Sequence, residues 1–326
     1  MPARAHHVFG PVPSRRLGRS LGVDLVPYKT CSYDCVYCQL GATTNRTVER
    51  GCFVCINDIL QEIAARLAAG PTPNYITLSG SGEPTLQADL GVLIAGIKRI
   101  STLPVAMLTN GSLLWRPDVQ DELLAADLVI PSLDAGDEVM FQRVNRPHRE
   151  LHLARIIAGL ESFRKRFRGE LWLEVFLLGG LTAGPDEVSK LVGLLARINP
   201  ARIQLNTVAR PPTESYARPA SSAELSRAAQ LLGPRAEVIA ERPAAETRAA
   251  VAPRADEILA LLRRRPCTLA DVAAGLGAHR LEVAKHIEHL LRAQTIVMRQ
   301  HGQRMYYQLA QGQNPPPNGP RATEEE

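Results

Sequence analysis

The sequence predicts an α/β protein, a partial (β/α)6 TIM-like barrel followed by a C-terminal winged helix-turn-helix domain. Two patterns carry this expectation. Between about residues 20 and 212, short apolar runs alternate six times with helix-period stretches. From residue 253 the grammar changes to three short helices and a hairpin. Strands alternating with helices imply a parallel sheet. Eight such units would close a full barrel, so six leave an open one with its polar strand ends gathered on one face.

Taken in order, the first strand is expected at 21–26 and leads into a cysteine-rich loop. A helix follows at 59–69, with Asn57 and Asp58 as capping candidates. The strand at 75–78 ends in Ser79-Gly80-Ser81-Gly82, and a helix covers 90–99. The strand at 105–108 ends in Thr109-Asn110-Gly111, a helix closes at 123–126, and the strand at 128–130 runs into Ser132-Leu133-Asp134. Then come a helix at 151–167, a strand at 171–178 with a Gly179-Gly180 exit, a helix at 186–198 and a strand at 202–206. A helix at 221–232 and a short strand precede a linker. The last elements are helices at 254–264, 269–276 (capped by Thr268, stopped at Gly277) and 279–292, then strands at 295–299 and 305–309 around His301-Gly302. The expected domains are a barrel over 1–212, a helical extension and linker over 213–250, the winged helix over 251–310 and a disordered Pro-, Gly- and Glu-rich tail over 311–326.

With 326 residues, 45% of them hydrophobic, the chain can build one large core and one small one. Aromatics are only 5%, so those cores must be mostly aliphatic. No run of eighteen apolar residues is present and the first nineteen residues lack an apolar signal core, so neither a membrane span nor a secretory signal is expected. Five of the six cysteines fall between residues 31 and 55. That clustering suits metal ligation in a reducing cytoplasm better than a disulfide framework.

The strongest chemical signal is Cys31-Ser32-Tyr33-Asp34-Cys35-Val36-Tyr37-Cys38. Three thiolates at spacings of four and three can reach three irons of one cubane and leave the fourth without a protein ligand. The alternative is a structural zinc site, which needs four ligands and would have to recruit Cys52 or Cys55.

The motif, with Tyr37 just ahead of its last cysteine, resembles that of the radical S-adenosylmethionine (SAM) superfamily. The resemblance implies a [4Fe–4S] cluster on Cys31, Cys35 and Cys38, SAM on the open iron, and reductive cleavage to methionine and a 5′-deoxyadenosyl radical. It also implies an electron donor of ferredoxin or flavodoxin type. Ser79, Gly80, Gly82 and Glu83 resemble the superfamily's Gly-Gly-Glu motif for the SAM ammonium. In the same terms Tyr37, Asn110, Ser132, Asp134 and Asn206 stand where SAM is contacted, with Glu174, Gln204 and Thr207 nearby. Leu178-Gly179-Gly180-Leu181 loosely resembles the fifth-strand motif. Arg143, Asn145, Arg146 and His148 read either as a clamp for an anionic group or as a solvated basic loop.

The run from Phe9 to Gly22, with Cys35-Val36-Tyr37-Cys38-Gln39-Leu40-Gly41, resembles a bacterial and archaeal group of radical SAM proteins. That group is loosely placed with wybutosine-biosynthesis iron–sulfur oxidoreductases, and the resemblance spans about 9–212. In this run Arg15, Arg16 and Arg19, with Ser14, could bind a SAM carboxylate or a substrate phosphate. Cys52 and Cys55 are expected to be buried free thiols.

Residues 251–310 hold nine Lys or Arg against five Asp or Glu, so +4 of the chain's +5 lies there. Arg280, Lys285, Arg292, Arg299 and Arg304 would form a nucleic-acid footprint. Glu282 and Glu288 on the same helix would face phosphates poorly, and winged helices also bind peptides. Three roles therefore stand open: an RNA-modifying enzyme, a peptide- or protein-modifying enzyme, and a redox-sensing DNA-binding regulator.

Overall fold

A computed structural model of the chain describes residues 7–70, 72–239 and 253–310. The tail expected at 311–326 and the linker expected up to residue 250 lie mostly or wholly outside the described residues.

The chain opens with an antiparallel hairpin, β1 (Val8–Ser14) and β2 (Gly18–Asp24), joined by the turn at residues 15–17. β1 corrects the expected starting point. The strand expected at 21–26 overlaps β2, and β1 precedes it, its apolar residues spread to serve two different cores. The cysteine loop contains β3 (Thr30–Cys31), paired in parallel with β4 (Asn45–Arg46). Then follow α1 (Ile56–Ala69), β5 (Tyr75–Ser79), a 3-10 turn at Pro84–Leu86, α2 (Leu90–Ile100), β6 (Val105–Thr109), α3 (Pro117–Leu123) and β7 (Leu128–Pro131). Next come α4 (Glu138–Asn145), α5 (Leu153–Arg166), β8 (Glu170–Gly179), α6 (Pro185–Ile198), β9 (Arg202–Thr207), β10 (Arg218–Pro219), α7 (Ser222–Leu232) and β11 (Ala236–Val238).

The main sheet runs β1-β2-β5-β6-β7-β8-β9-β11, every pair along this path from β2 onward is parallel, and β10 adds to β8 antiparallel. This is the partial parallel α/β barrel that the strand–helix alternation predicts. Period-2 alternation divides each strand between two environments. Val105, Met107, Val129, Leu171 and Leu173 face the helices and join the main core. Ala106, Leu128, Ile130 and Trp172 point inward, where Leu17 from the hairpin turn fills the space between them. On β8 the inward column continues upward through Glu174 and Phe176, towards the ends of the strands.

α1 begins at Ile56 with Cys55 in the capping position and no side-chain cap bond, so Asn57 and Asp58 lie inside the first turn instead of capping it. Cys52 and Cys55 are both exposed, contrary to expectation. The Gln87 side-chain carbonyl accepts from the backbone N–H of Phe53 (2.9 Å) and Val54 (3.2 Å). That grip turns Phe53 and Val54 onto the core and leaves the flanking cysteines outside.

The C-terminal stretch folds as α8 (Ala255–Leu262), α9 (Leu269–Leu276), α10 (Arg280–Arg292), β12 (Ile296–His301) and β13 (Arg304–Leu309), the last two an antiparallel pair. Thr268 caps α9 and Gly277 ends it in the left-handed conformation, as the sequence predicts, and Asp271 completes a capping box. Its core of Ile258, Leu261, Val272, Val283 and Ile287 also takes in Val12 and Phe9 of β1. The tyrosine hydroxyl of Tyr306 donates to the carbonyl of Ala209, just past β9, at 2.6 Å. The C-terminal helices and hairpin thus touch the barrel both at its β1 edge and beyond β9.

Candidate active site

Three loops at the upper strand ends build the site. The loop after β5 is stitched to the cysteine loop through Asp24, whose carboxylate accepts from the Ser81 N–H (2.9 Å) and hydroxyl (2.5 Å). Backbone bonds from Lys29 N–H to Ser81 O (2.7 Å) and from Glu83 N–H to Thr30 O (3.0 Å) complete the seam. Two glycines are sterically required. Gly80 has φ +138°, and a Cβ there would lie 2.1 Å from an Asp24 oxygen; at Gly82 it would lie 1.9 Å from the Thr30 carbonyl oxygen.

Cys31, Cys35 and Cys38 are half-buried, and each sulfur has its own N–H donor. Asn110 Nδ2 lies 3.6 Å from Cys31 Sγ, Asn145 Nδ2 lies 3.5 Å from Cys35 Sγ, and Lys29 Nζ lies 3.2 Å from Cys38 Sγ. Burial pushes the Cys31 thiol up to about 12, with Glu83 adding to the effect, and burial followed by Asp134 raises Cys35. Lys29 is 3% exposed. Burial alone would lower its pKa, but the three cysteines outweigh that and raise it. A metal that binds Cys31 and Cys35 must displace the protons that burial holds on them.

Glu83 is 1% exposed. Its Oε1 accepts from the Thr85 N–H (3.0 Å), the Thr85 hydroxyl (2.5 Å) and the Thr109 hydroxyl (2.5 Å), while Oε2 accepts only from Asn110 N–H (2.7 Å). Burial raises its pKa, and these donors pull it back. The carboxylate therefore clamps the ends of β5 and β6 together and keeps one oxygen with spare acceptor capacity.

Asp134 ties the cysteine loop to β8. Its Oδ2 accepts from the Tyr37 hydroxyl and from Asn145 Nδ2 (2.8 Å), and its Oδ1 from the Phe176 N–H (2.9 Å). Tyr37 stacks on Phe176 with ring centroids 4.0 Å apart. Burial lifts Asp134 to about 6 against the pull of those donors. Below this layer lies another polar group. Glu174 pairs with Arg16 and accepts from Asn206 Nδ2 (2.8 Å) and the Ser132 hydroxyl (3.4 Å).

The structure thus brings together Cys31, Cys35, Cys38, Tyr37, Ser79, Gly80, Gly82, Glu83, Asn110 and Asp134, with Ser132 and Asn206 one layer lower. It moves others away. Gln204 donates to Glu237 of β11 (3.0 Å), and Thr207 bonds Leu177 O and Ala220 N–H. Of the residues 143–148, Asn145 faces the site, Arg143 is exposed at the end of α4, and Arg146 pairs with Glu214 at 2.7 Å. Lys29 was missed: nothing in its local sequence marks it, and its left-handed backbone (φ +58°) turns it towards Cys38.

The donor set fits an iron–sulfur cluster. It comprises three cysteines, an N–H aimed at each sulfur, and a buried amide oxygen, Asn145 Oδ1, with no partner beside them. Among the described residues, no three His, Cys, Asp or Glu side chains are drawn together as a single metal ion requires. Cubane thiolates each take a separate iron, so this separation and a cubane are compatible.

Comparison with known proteins agrees. The Radical SAM superfamily profile matches residues 25–195, just over half of the chain. A UPF0026 protein of Helicobacter pylori is 35% identical over 305 residues, covering 92% of this chain and 96% of that protein. A protein of Brachyspira hyodysenteriae named GTPase Obg is 36% identical over 293 residues, which are 89% of this chain. The chain spans only 43% of that protein's length. Among solved structures, a radical SAM methyltransferase from Sphaerobacter thermophilus shares the fold, with a TM-score of 0.52 at 18% identity, over 68% of this chain and 66% of that one. The chain belongs to the radical SAM superfamily of enzymes and, within it, to the family of the UPF0026 proteins.

Proposed function

We propose that Cys31, Cys35 and Cys38 hold a [4Fe–4S] cluster and that the loops around them bind SAM. The observation that carries this is the separate N–H donor on each of the three sulfurs. When bound, such a cluster supplies the electron that cleaves SAM to methionine and a 5′-deoxyadenosyl radical. The chain's own residues do the rest. Glu83 Oε2 receives an ammonium, Gly80 and Gly82 let backbone approach the ligand, and Asn110 orients Cys31 while bonding the Ser32 hydroxyl at 2.8 Å. Tyr37, stacked on Phe176, shields the cysteine loop from water, and Lys29 offsets negative charge at Cys38. Ser132 and Asn206 face the substrate through Glu174. A ferredoxin- or flavodoxin-like protein supplies the electron.

The C-terminal helices and hairpin form a winged helix that recognises the substrate. RNA is the substrate class we favour, on the excess of cations there. One observation supports the peptide reading instead. Lys285 and Arg292 are paired with Glu282 and Glu288 on their own helix, while Leu281 and Met298 are exposed. Among the described residues, no helix is long and apolar enough to cross a membrane.

Anaerobically prepared protein given dithionite and SAM should release 5′-deoxyadenosine, and Cys35→Ala should abolish it. Zinc at the three cysteines in place of iron and sulfide would end the reading. A salt-dependent RNA gel shift on the same protein would separate RNA from peptide.

A further inference from the structure

We propose that Lys29 raises the reduction potential of the cluster held by Cys31, Cys35 and Cys38, so that the cluster takes up an electron more readily. This role rests on the function proposed above. Lys29 lies between β2 and β3, in a left-handed conformation (φ +58°) that residues other than glycine rarely adopt. Its backbone is gripped from two sides. The N–H donates to Ser81 O of the loop after β5 at 2.7 Å, and the carbonyl accepts from the N–H groups of Thr44 and Asn45, both at 3.2 Å. The held backbone turns a long cationic side chain into the interior, where the residue is 3% exposed. A lysine placed there is costly twice, in backbone conformation and in buried charge, and such a cost points to a use.

The use is legible in what the ammonium touches. Nζ lies 3.2 Å from Cys38 Sγ. The carboxylates around the cysteines take their donors elsewhere: Asp24 from Ser81, Glu83 from Thr85, Thr109 and Asn110, and Asp134 from Tyr37, Asn145 and Phe176. The charge of Lys29 instead faces the three sulfurs, with Cys38 in contact and Cys31 and Cys35 beyond. Those other two sulfurs receive neutral amides, Asn110 on Cys31 (3.6 Å) and Asn145 on Cys35 (3.5 Å), so the full charge is set against Cys38. Cys38 is fixed as firmly as its partner. Its N–H donates to the Cys35 carbonyl (3.1 Å), and its own carbonyl accepts from the Thr213 hydroxyl (2.8 Å).

Reduction adds one negative charge to the cluster. One electron leaves the ferredoxin- or flavodoxin-like donor, which is oxidised, and no bond or proton moves. A cation held against one of the thiolates stabilises the more negative state most, and net charge and hydrogen bonds at the sulfurs are what set such potentials. Burial leaves the attraction little screened by water. Lys29 thus makes the cluster easier to reduce and gives up part of its driving force towards SAM. The sign of the effect separates tuning from packing. A loosened loop would admit water, which favours the more charged state and would raise the potential, whereas loss of the cation lowers it.

The test is a dye-mediated redox titration of the full-length protein, reconstituted with iron and sulfide and free of SAM, followed by electron paramagnetic resonance of the reduced cluster. Lys29→Met, of similar length and without charge, should hold the electron at least about tenfold less tightly, which for a one-electron couple is a fall of about 59 mV. Lys29→Arg keeps the charge and should stay close to wild type. Asn110→Ala removes a neutral donor from Cys31 and should lower the potential by less than Lys29→Met does. Should Lys29→Met lose its cluster, Lys29→Gln, a donor without charge, takes its place with a fall in the same direction. An unchanged or raised potential in the uncharged variant, or an equal fall in Asn110→Ala, overturns the proposal. An unchanged potential with weaker SAM binding would make Lys29 a contact of SAM instead. Protein that releases 5′-deoxyadenosine yet shows no fall loses only this role for Lys29; protein with no iron–sulfur signal loses the radical reading as well.

Discussion

Asp134 is a carboxyl with three donors aimed at it that nonetheless sits above its ordinary range, because burial outweighs the donors. The sign of its effect on stability follows. Below the usual value of 3.8 the group is protonated in both folded and unfolded chains. As pH rises from there to about 6, the unfolded chain loses its proton first, so stability falls, and it levels off above 6. Asp134→Asn has nothing to titrate. In urea unfolding of iron-free protein, the stability of wild type minus that of Asp134→Asn should fall by about 2 kcal/mol between pH 4 and pH 7. A difference that stays flat would mean that the carboxyl is not desolvated. The residue also positions its neighbours. Its Oδ2 takes two donors and fixes Tyr37 and Asn145 beside the cysteines, while its Oδ1 takes one, the Phe176 N–H.

The decisive element is the loop after β5. Its glycines were legible as a close-approach motif, but what they approach was not: Gly82 lies against the Thr30 carbonyl of the cysteine loop. Gly82→Ala must push the two loops apart and break the Glu83-to-Thr30 bond. It should destabilise the protein by about 1–3 kcal/mol and lower iron content in proportion. Gly193→Ala is the control. This exposed glycine of α6 has no atom within 4 Å of an added Cβ, so the change should stabilise by about 0.5–1 kcal/mol through helix propensity. Thermal unfolding of both variants measures the contrast. β1 makes the opposite point at the same scale. Val8 serves the main core, while Phe9 and Val12 serve the C-terminal one, so no single-face alternation marks it as a strand.

For the molecule as a whole, the C-terminal helices and hairpin share a core with β1 and a hydrogen bond with the segment after β9. The Tyr306 hydroxyl is the link to that segment. Tyr306→Phe keeps the ring and strands the Ala209 carbonyl, so it should cost about 1 kcal/mol. Hydrogen exchange should speed up around residues 207–210 and leave β6 and β7 unchanged. Protection lost across the whole sheet instead would show that the contact supports the barrel globally.

The alternation of the main strands and helices, the parallel sheet, the three-cysteine motif and the Thr268 cap of α9 were determined by the sequence alone. Each depends on spacing along a few consecutive residues, where hydrophobic period, cap chemistry and ligand interval act locally. Other features were decided by tertiary structure. The exposure of Cys52 and Cys55 follows from Gln87, thirty-odd residues away. The retreat of Gln204 from the site follows from its place opposite β11. Lys29 reaches Cys38 through a backbone turn. Burial and long-range charge belong to no segment by itself. They arise only when distant stretches of chain share a low-dielectric interior, and there they decide which polar groups are satisfied and which are left to meet a ligand.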